Sequence, residues 1–143
     1  MAEIQIAHNV NSFIASHRVA RLATVDANGI PHAIPICYAF DGTHVYSALD
    51  LKPKKVDAHQ LKRVRNILEN PHVALVIDDY SEDWSDLAYV LIRGAAEILE
   101  DGEERSYAES LLRDKYSQYS ELLESGCTVL KITLESVTSW GRI

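Results

Sequence analysis

The chain has 143 residues, 47% apolar and 24% charged, with 14 Lys and Arg against 21 Asp and Glu and a formal net charge of -7. That length fits one domain, 1–143, whose core is large enough to fold without a disulfide or a metal, and the acidic balance argues against nucleic acid as a partner. No apolar run approaches a membrane span, and Met1-Ala2-Glu3-Ile4 does not open a basic-then-apolar leader, so a cytoplasmic protein is expected.

Ile6, Val10, Phe13 and Ile14 recur at helical spacing and predict a short opening helix. Arg18 to Val25 reads as a strand, Asp26-Ala27-Asn28-Gly29 as a turn, and Ile30 to Phe40 as the returning strand. Pro31 and Pro35 put that strand at an edge or a bulge, because proline cannot donate to a ladder. Asp41-Gly42 turns the chain into a third strand, His44 to Ala48, which completes a meander. Lys55 to Glu69 reads as a helix stopped by Asn70-Pro71. Val73-Ala74-Leu75-Val76-Ile77 is an unbroken apolar run, the pattern of a buried central strand. An acidic loop from Asp78 to Asp86 holds Tyr80 and Trp84, and a long strand follows from Leu87 to Leu99, with Gly94 as a bulge. Asp101 to Tyr119 reads as a helix, and Cys127 to Leu134 alternates as the last strand. Six hairpin-connected strands and three helices predict a mainly β protein, a small antiparallel β-barrel with accessory helices, since closure removes exposed edges.

Six of the 14 Lys and Arg residues fall between Leu51 and Arg65: Lys52, Lys54, Lys55, Lys62, Arg63 and Arg65. A strand end, a loop stiffened by Pro53 and a helix start meet there. Such a junction offers backbone N–H groups and cations to an anion, most simply a phosphate. The same run also reads as a solvated basic helix face. Cys37 and Cys127 form neither C-x-x-C nor a zinc spacing and are expected to be two buried, reduced thiols. His8, His17, His59 and His72 lack metal spacing, and the acidic loop lacks the EF-hand pattern, so no metal site is expected. Ser106 and Ser110 have no partnered His or Asp and there is no G-x-S-x-G, which leaves a hydrolase triad without support. His32 and His44 read as surface or cross-strand residues.

Arg21-Leu22-Ala23-Thr24-Val25-Asp26, Gly29-Ile30-Pro31-His32 and Pro35-Ile36-Cys37-Tyr38 form one pattern. Tyr46-Ser47 running into Lys52-Pro53-Lys54-Lys55, and Arg65-Asn66-Ile67 before Asn70-Pro71-His72-Val73-Ala74-Leu75, extend it. Together these segments resemble the pyridoxamine 5'-phosphate oxidase-like, FMN-binding split-barrel superfamily, and within it the small deazaflavin-dependent oxidoreductase branch. The resemblance runs from about Phe13 to Trp140. It implies a six-stranded antiparallel split β-barrel with flanking helices, and a homodimer with its cofactor at the subunit interface. It also implies FMN, with a deazaflavin coenzyme as the alternative, and hydride transfer to an unidentified small molecule. Carried over by position, Ser47, Lys52, Lys54 and Lys55 stand on the phosphate side, with Arg65 and Asn66 beside them. Arg21, Leu22, Ala23 and Thr24 run along the ring, and Trp84 and Trp140 reach it from the partner chain. No catalytic acid or base is implied, because the chemistry belongs to the cofactor.

Elementary chemistry agrees with that assignment. A phosphate monoester carries about two negative charges near neutrality, and clustered lysines offset them. Ala23, Thr24 and Ala48 are small enough for a planar ring to lie against the strands. The longer C-terminal segment with which true pyridoxamine-phosphate oxidases hold pyridoxal is missing before Ile143, so vitamin B6 is not the expected substrate. Fold alone does not decide function, and the alternative is a non-catalytic flavin- or haem-binding or sensing protein.

Overall fold

Residues 4–49 and 57–143 are described by the computed structural model of the protein. Seven strands, β1 (Ala20–Val25), β2 (Pro31–Ile36), β3 (Ala39–Phe40), β4 (His44–Ala48), β5 (His72–Asp79), β6 (Ala88–Leu99) and β7 (Val129–Gly141), form one antiparallel sheet. Their order is β2-β1-β5-β6-β7-β4-β3. The two edge strands, β2 and β3, are consecutive in the chain and separated only by Cys37 and Tyr38. The sheet therefore curls until its edges meet at that joint, giving a mainly β half-barrel with flanking helices.

Two strand boundaries differ from the sequence expectation. The second predicted strand breaks at Cys37-Tyr38, which makes seven strands rather than six. The last strand does not stop near Leu134 but continues to Gly141, because it pairs along the whole of β6. A register shift between Arg93 and Gly94 lets it do so. A Cβ on Gly94 would sit 2.3 Å from the Thr133 carbonyl oxygen, so only glycine allows the strands this close.

The helices are α1 (His8–Ser16), α2 (Lys62–Glu69), α3 (Glu103–Lys115) and the single turn α4 (Tyr119–Leu122). Helix α2 begins later than the sequence suggests. Asp57 accepts from the His59 N–H and starts a short 3-10 turn, Ala58–Gln60, in front of it. Helix α1 sets Val10, Phe13 and Ile14 against Leu22, Leu75, Ile77, Val90, Ile92 and Ile132 inside the curl. Each such side chain contributes about 1.5–3 kcal/mol on burial. A second cluster lies under α3, where Ala108, Leu112 and Tyr116 meet Tyr46, Leu123 and Val129.

Tyrosines lock the joint between the sheet edges. The Tyr116 hydroxyl accepts the Tyr38 N–H at 3.0 Å. It shares its own proton between the carbonyls of Arg18 (2.7 Å) and Tyr38 (3.0 Å). The Tyr38 hydroxyl, fully buried, donates to the Ile14 carbonyl. Burial pushes the Tyr116 phenol up to about 12. Lys115 completes the cluster, its Nζ lying 4.0 Å from the Tyr38 ring centroid and donating to the His17 carbonyl at 2.5 Å. Burial, followed by the charge of Arg18, pulls this ammonium down to about 8.

That depression has a definite sign. Between about pH 8 and 10 the unfolded chain holds a proton on Lys115 that the folded chain has released. Stability gained from this residue therefore rises with pH across that window. Urea unfolding at pH 7.5 and 9.5 is expected to show wild type gaining roughly 1 kcal/mol relative to Lys115→Met, a figure reduced for the partial exposure of the group. Equal pH responses of the two proteins would contradict this.

One face of the sheet remains open. Outward on it stand Arg21, Ala23 and Val25 of β1, Ala74 and Val76 of β5, and Tyr89, Leu91 and Arg93 of β6. Tyr89 stacks on Trp140 of β7 at 5.8 Å between ring centroids. Val76 is 36% exposed, Tyr89 38% and Trp140 52%, which makes this a large apolar patch for a single chain.

Candidate functional site

Alternation along β1 sends Leu22 into the core, where it is fully buried, and turns Arg21 and Ala23 outward. Arg21 is exposed, and its Nη1 donates to Asp78 Oδ1 at 3.1 Å. Ala23, Thr24 and Val25 border a hollow of about 300 Å³ together with Pro31, His72, Ala74 and Arg93. Small side chains at Ala23 and Ala74, directly opposite one another in the ladder, keep its floor flat. Leu22 contributes only backbone to this strip.

Asn66 stands behind the hollow and is not part of its surface. It is completely buried on α2, and its Nδ2 donates to Thr24 Oγ1 at 3.0 Å while its Oδ1 has no partner. Helix α2 is thereby tied to β1 at the point where the strand borders the hollow. Replacing Thr24 with the isosteric valine leaves both polar ends of a buried amide unpaired. We expect Thr24→Val to lose about 2 kcal/mol of stability in urea unfolding; a loss under 0.5 kcal/mol would refute the role of this bond.

One helical turn before Asn66, on the same side of α2, is Arg63. It lines a second cavity of about 210 Å³ with Pro35, Ile36, Cys37, Ser47, Ala48 and Tyr119. Among the described residues no carboxylate neutralises it. Its Nε is buried without a partner, and burial alone pulls the guanidinium below its ordinary value. The Ser47 hydroxyl donates to the Cys37 carbonyl at 2.8 Å, so toward the cavity it offers lone pairs rather than a proton. A partly buried arginine in a half-open hollow, with no counter-charge among the described residues, is the arrangement that a bound anion completes.

The two hollows lie toward opposite ends of β2. Pro31 borders the first and Pro35 the second, both on its outward side. Four residues of strand separate them, about 13 Å. A planar group in the first and an anionic tail in the second would lie along one strand.

The other sequence-predicted site residues stand elsewhere. Lys52, Lys54 and Lys55 fall outside the described residues. Arg65 is exposed on α2, away from the packed side that carries Val64, Asn66 and Ile67. Trp84 is 72% exposed on the 3-10 turn Trp84–Asp86, which Asp83 caps by accepting from Ser85 N–H. Trp140 borders a further hollow of about 270 Å³ with Val76, Tyr80, Leu87 and Tyr89. Within one chain, therefore, neither tryptophan borders the hollow of Ala23 and Thr24. Arg63 entered the sequence reading only as one of six cations in the basic stretch, and Arg93 was not assigned to the site. The available signals were the three-residue spacing of Arg63 to buried Asn66 and the outward phase of Arg93 in β6. The expectation of two buried thiols holds for Cys127, whereas Cys37 is only half-buried. Among the described residues no group of three or more His, Cys, Asp or Glu is placed to hold a metal ion.

A curled antiparallel half-barrel with its sheet edges joined at one point and an open outer face defines the split-barrel class. Within that class the chain belongs to the pyridoxamine 5'-phosphate oxidase family, whose model matches residues 6–141. It is 29% identical over 92 residues to the 5a,11a-dehydrotetracycline/5a,11a-dehydrooxytetracycline reductase of Streptomyces rimosus. That match takes in 64% of this chain and 62% of the reductase's length. Two solved structures share the fold. A haem-binding protein of Mycobacterium smegmatis superposes with a TM-score of 0.76 at 21% identity, covering 99% of this chain and 56% of that one. An F420 reductase superposes with a TM-score of 0.66 at 20% identity, covering 93% and 98%.

Proposed function

We propose that this protein is a flavin-type cofactor-dependent oxidoreductase that binds FMN, or a deazaflavin coenzyme in its place, and passes a hydride to a small molecule. The observation that carries the reading is Arg63, a guanidinium without a carboxylate partner among the described residues, lining a half-open hollow toward the other end of β2 from the flat hollow of Ala23, Thr24 and Ala74. The residues present fit such a cofactor. An arginine without a partner among the described residues lines one hollow, and two alanines leave room for a ring at the other.

When bound, the cofactor supplies the hydride chemistry itself. Arg63 would grip the phosphate through its planar fork of donors, and Ser47 would fix the cavity wall through the Cys37 carbonyl. Ala23, Thr24 and Val25 would floor the ring, with the Thr24 hydroxyl oriented by Asn66. Arg93 would place a cation at the rim of that hollow, suited to negative charge developing on a reduced ring or on an acceptor. The open outer face, with Val76, Tyr89 and Trp140 exposed, suits a second copy of the chain, and the homodimer belongs to the same proposal. Its closure would exclude water from the hollow and bring a partner's aromatic rim to it.

Visible absorption of the purified protein, mass spectrometry of whatever heat releases, and steady-state reduction by NADPH or reduced deazaflavin test this reading. A bound flavin or deazaflavin that passes electrons to an acceptor supports it. A tightly held but inert cofactor, or a haem spectrum, supports the binding or sensing alternative. A colourless protein that takes up none of them in titration overturns it.

A further inference from the structure

We infer that Lys115 accepts the acyl group of small acyl phosphates, with Arg18 holding the phosphate beside it. This chemistry belongs to the joint between the sheet edges and is independent of the cofactor reading. It follows from how the two cations are held.

Lys62, Lys115 and Lys131 are the lysines among the described residues, and their settings differ. Lys131 Nζ lies 2.8 Å from Glu104 Oε2 and 3.6 Å from Glu97 Oε1. Lys62 Nζ lies 3.9 Å from Asp26 Oδ2. Lys115 forms no ion pair with a carboxylate among the described residues. Its Nζ donates to the His17 carbonyl at 2.5 Å, 4.0 Å from the centroid of the Tyr38 ring and 5.5 Å from that of Tyr116. The other charged or titratable groups that act on it are the Cys37 thiol and a second cation, Arg18. The Arg18 guanidinium donates to the Lys115 carbonyl at 2.5 Å and lies 5.0 Å from the centroid of the same Tyr116 ring. It too lacks a carboxylate partner among the described residues.

Apolar surroundings and a neighbouring cation both favour the neutral amine, which is the nucleophile. They pull the Lys115 ammonium down to about 8, so about half of it is neutral at that pH, against less than about 1% of an ordinary lysine. The residue is half-buried rather than sealed. Arg18 supplies the other half of the site. It is exposed, and among the described residues only its Nη2 is engaged by a hydrogen bond, so most of its planar fork is free for a phosphoryl group.

The step is an acyl transfer without oxidation or reduction. The neutral Nζ attacks the carbonyl carbon of the acyl phosphate and a C–N bond forms. The C–O bond to phosphorus's oxygen breaks, its electron pair leaves on phosphate, and the surplus proton on nitrogen passes to water. The resulting amide keeps one N–H for the His17 carbonyl but carries no charge and no longer titrates.

The test treats the full chain with acetyl phosphate at pH 8 and follows acetylation lysine by lysine by peptide mass spectrometry. The uncharged N-hydroxysuccinimide ester of acetic acid is the comparison reagent. Lys115 is expected to react with acetyl phosphate at least fivefold faster than Lys62; a smaller ratio overturns the site. Arg18→Met removes a cation and so slows both reagents, but it should slow acetyl phosphate at least threefold more than the ester. Inorganic phosphate, with ionic strength matched by chloride, should protect Lys115 from acetyl phosphate and not from the ester. Equal slowing of the two reagents, or no protection, overturns the part given to Arg18. In urea unfolding, the acetylated protein should lose the gain in midpoint between pH 7.5 and 9.5 that the untreated protein shows. Acetylated Lys115 with that gain intact would show that the amine is not the one held at the joint, and the site would fall.

Discussion

Arg63→Met is expected to weaken FMN binding about thirtyfold while making the empty protein more stable. The opposite signs come from one residue. With phosphate bound, the guanidinium completes charge-assisted hydrogen bonds whose loss costs about 2 kcal/mol. Without it, the same group is a cation held in a cavity with no carboxylate beside it among the described residues, its Nε buried and unpaired. Methionine fills similar volume without that desolvation cost, so the apo melting temperature should rise by about 3 °C, corresponding to about 1 kcal/mol. Arg63→Lys keeps the charge but loses the fork, and should fall between the two proteins in affinity. Fluorescence titration of FMN and thermal melts of the apo form check both halves. An affinity within threefold of wild type would remove Arg63 from the site, and a lower apo melting temperature would show that an unrecognised partner neutralises it.

The second large effect concerns the frame. Gly94→Ala is expected to lower stability by about 3 kcal/mol in urea unfolding, because the new methyl meets backbone rather than a movable side chain. Its Cβ would lie 2.3 Å from the Thr133 carbonyl oxygen and 3.1 Å from Ile132 Cγ2. The strands β6 and β7 must then separate at the bulge that lets β7 run on to Gly141. Gly29→Ala is the contrast. At φ 79° with nothing within 4 Å, it meets only the left-handed backbone cost of about 1 kcal/mol. Equal losses from the two substitutions would show that the close approach at Gly94 is not what limits the position.

The hollow with Ala23 and Thr24 and the cavity with Arg63 were legible in the sequence to different degrees. The strip Arg21-Leu22-Ala23-Thr24 carried a recognisable family pattern, and strand alternation then decided that Ala23 faces out and Leu22 in. The basic stretch was equally visible, but its members look alike in one dimension. Arg63 and Arg65 differ by two positions in a helix, which is more than half a turn. Packing of Val64, Asn66 and Ile67 against the barrel decides which of the two is drawn into the cavity. Asn66 was read as a cofactor ligand, yet burial sets it one layer back, where it acts on Thr24. Cys37 read as an interior thiol because its neighbours are apolar, whereas the chain breaks its strand there to join the two sheet edges.

Composition, turn signals and residue periodicity sufficed for the class of fold: hairpins, a buried central strand, a mainly antiparallel sheet and a localised surplus of positive charge. These are local properties, fixed by backbone preference and by the period of two along a strand or 3.6 along a helix. Tertiary structure alone decided that β2 and β3 become the meeting edges of one curled sheet, that β7 outruns its own pattern along β6, and that Arg63 lines one hollow with Ser47 and Cys37. Such pairings join residues far apart in the chain, and curvature and close packing set them, neither of which is written in any short stretch of sequence.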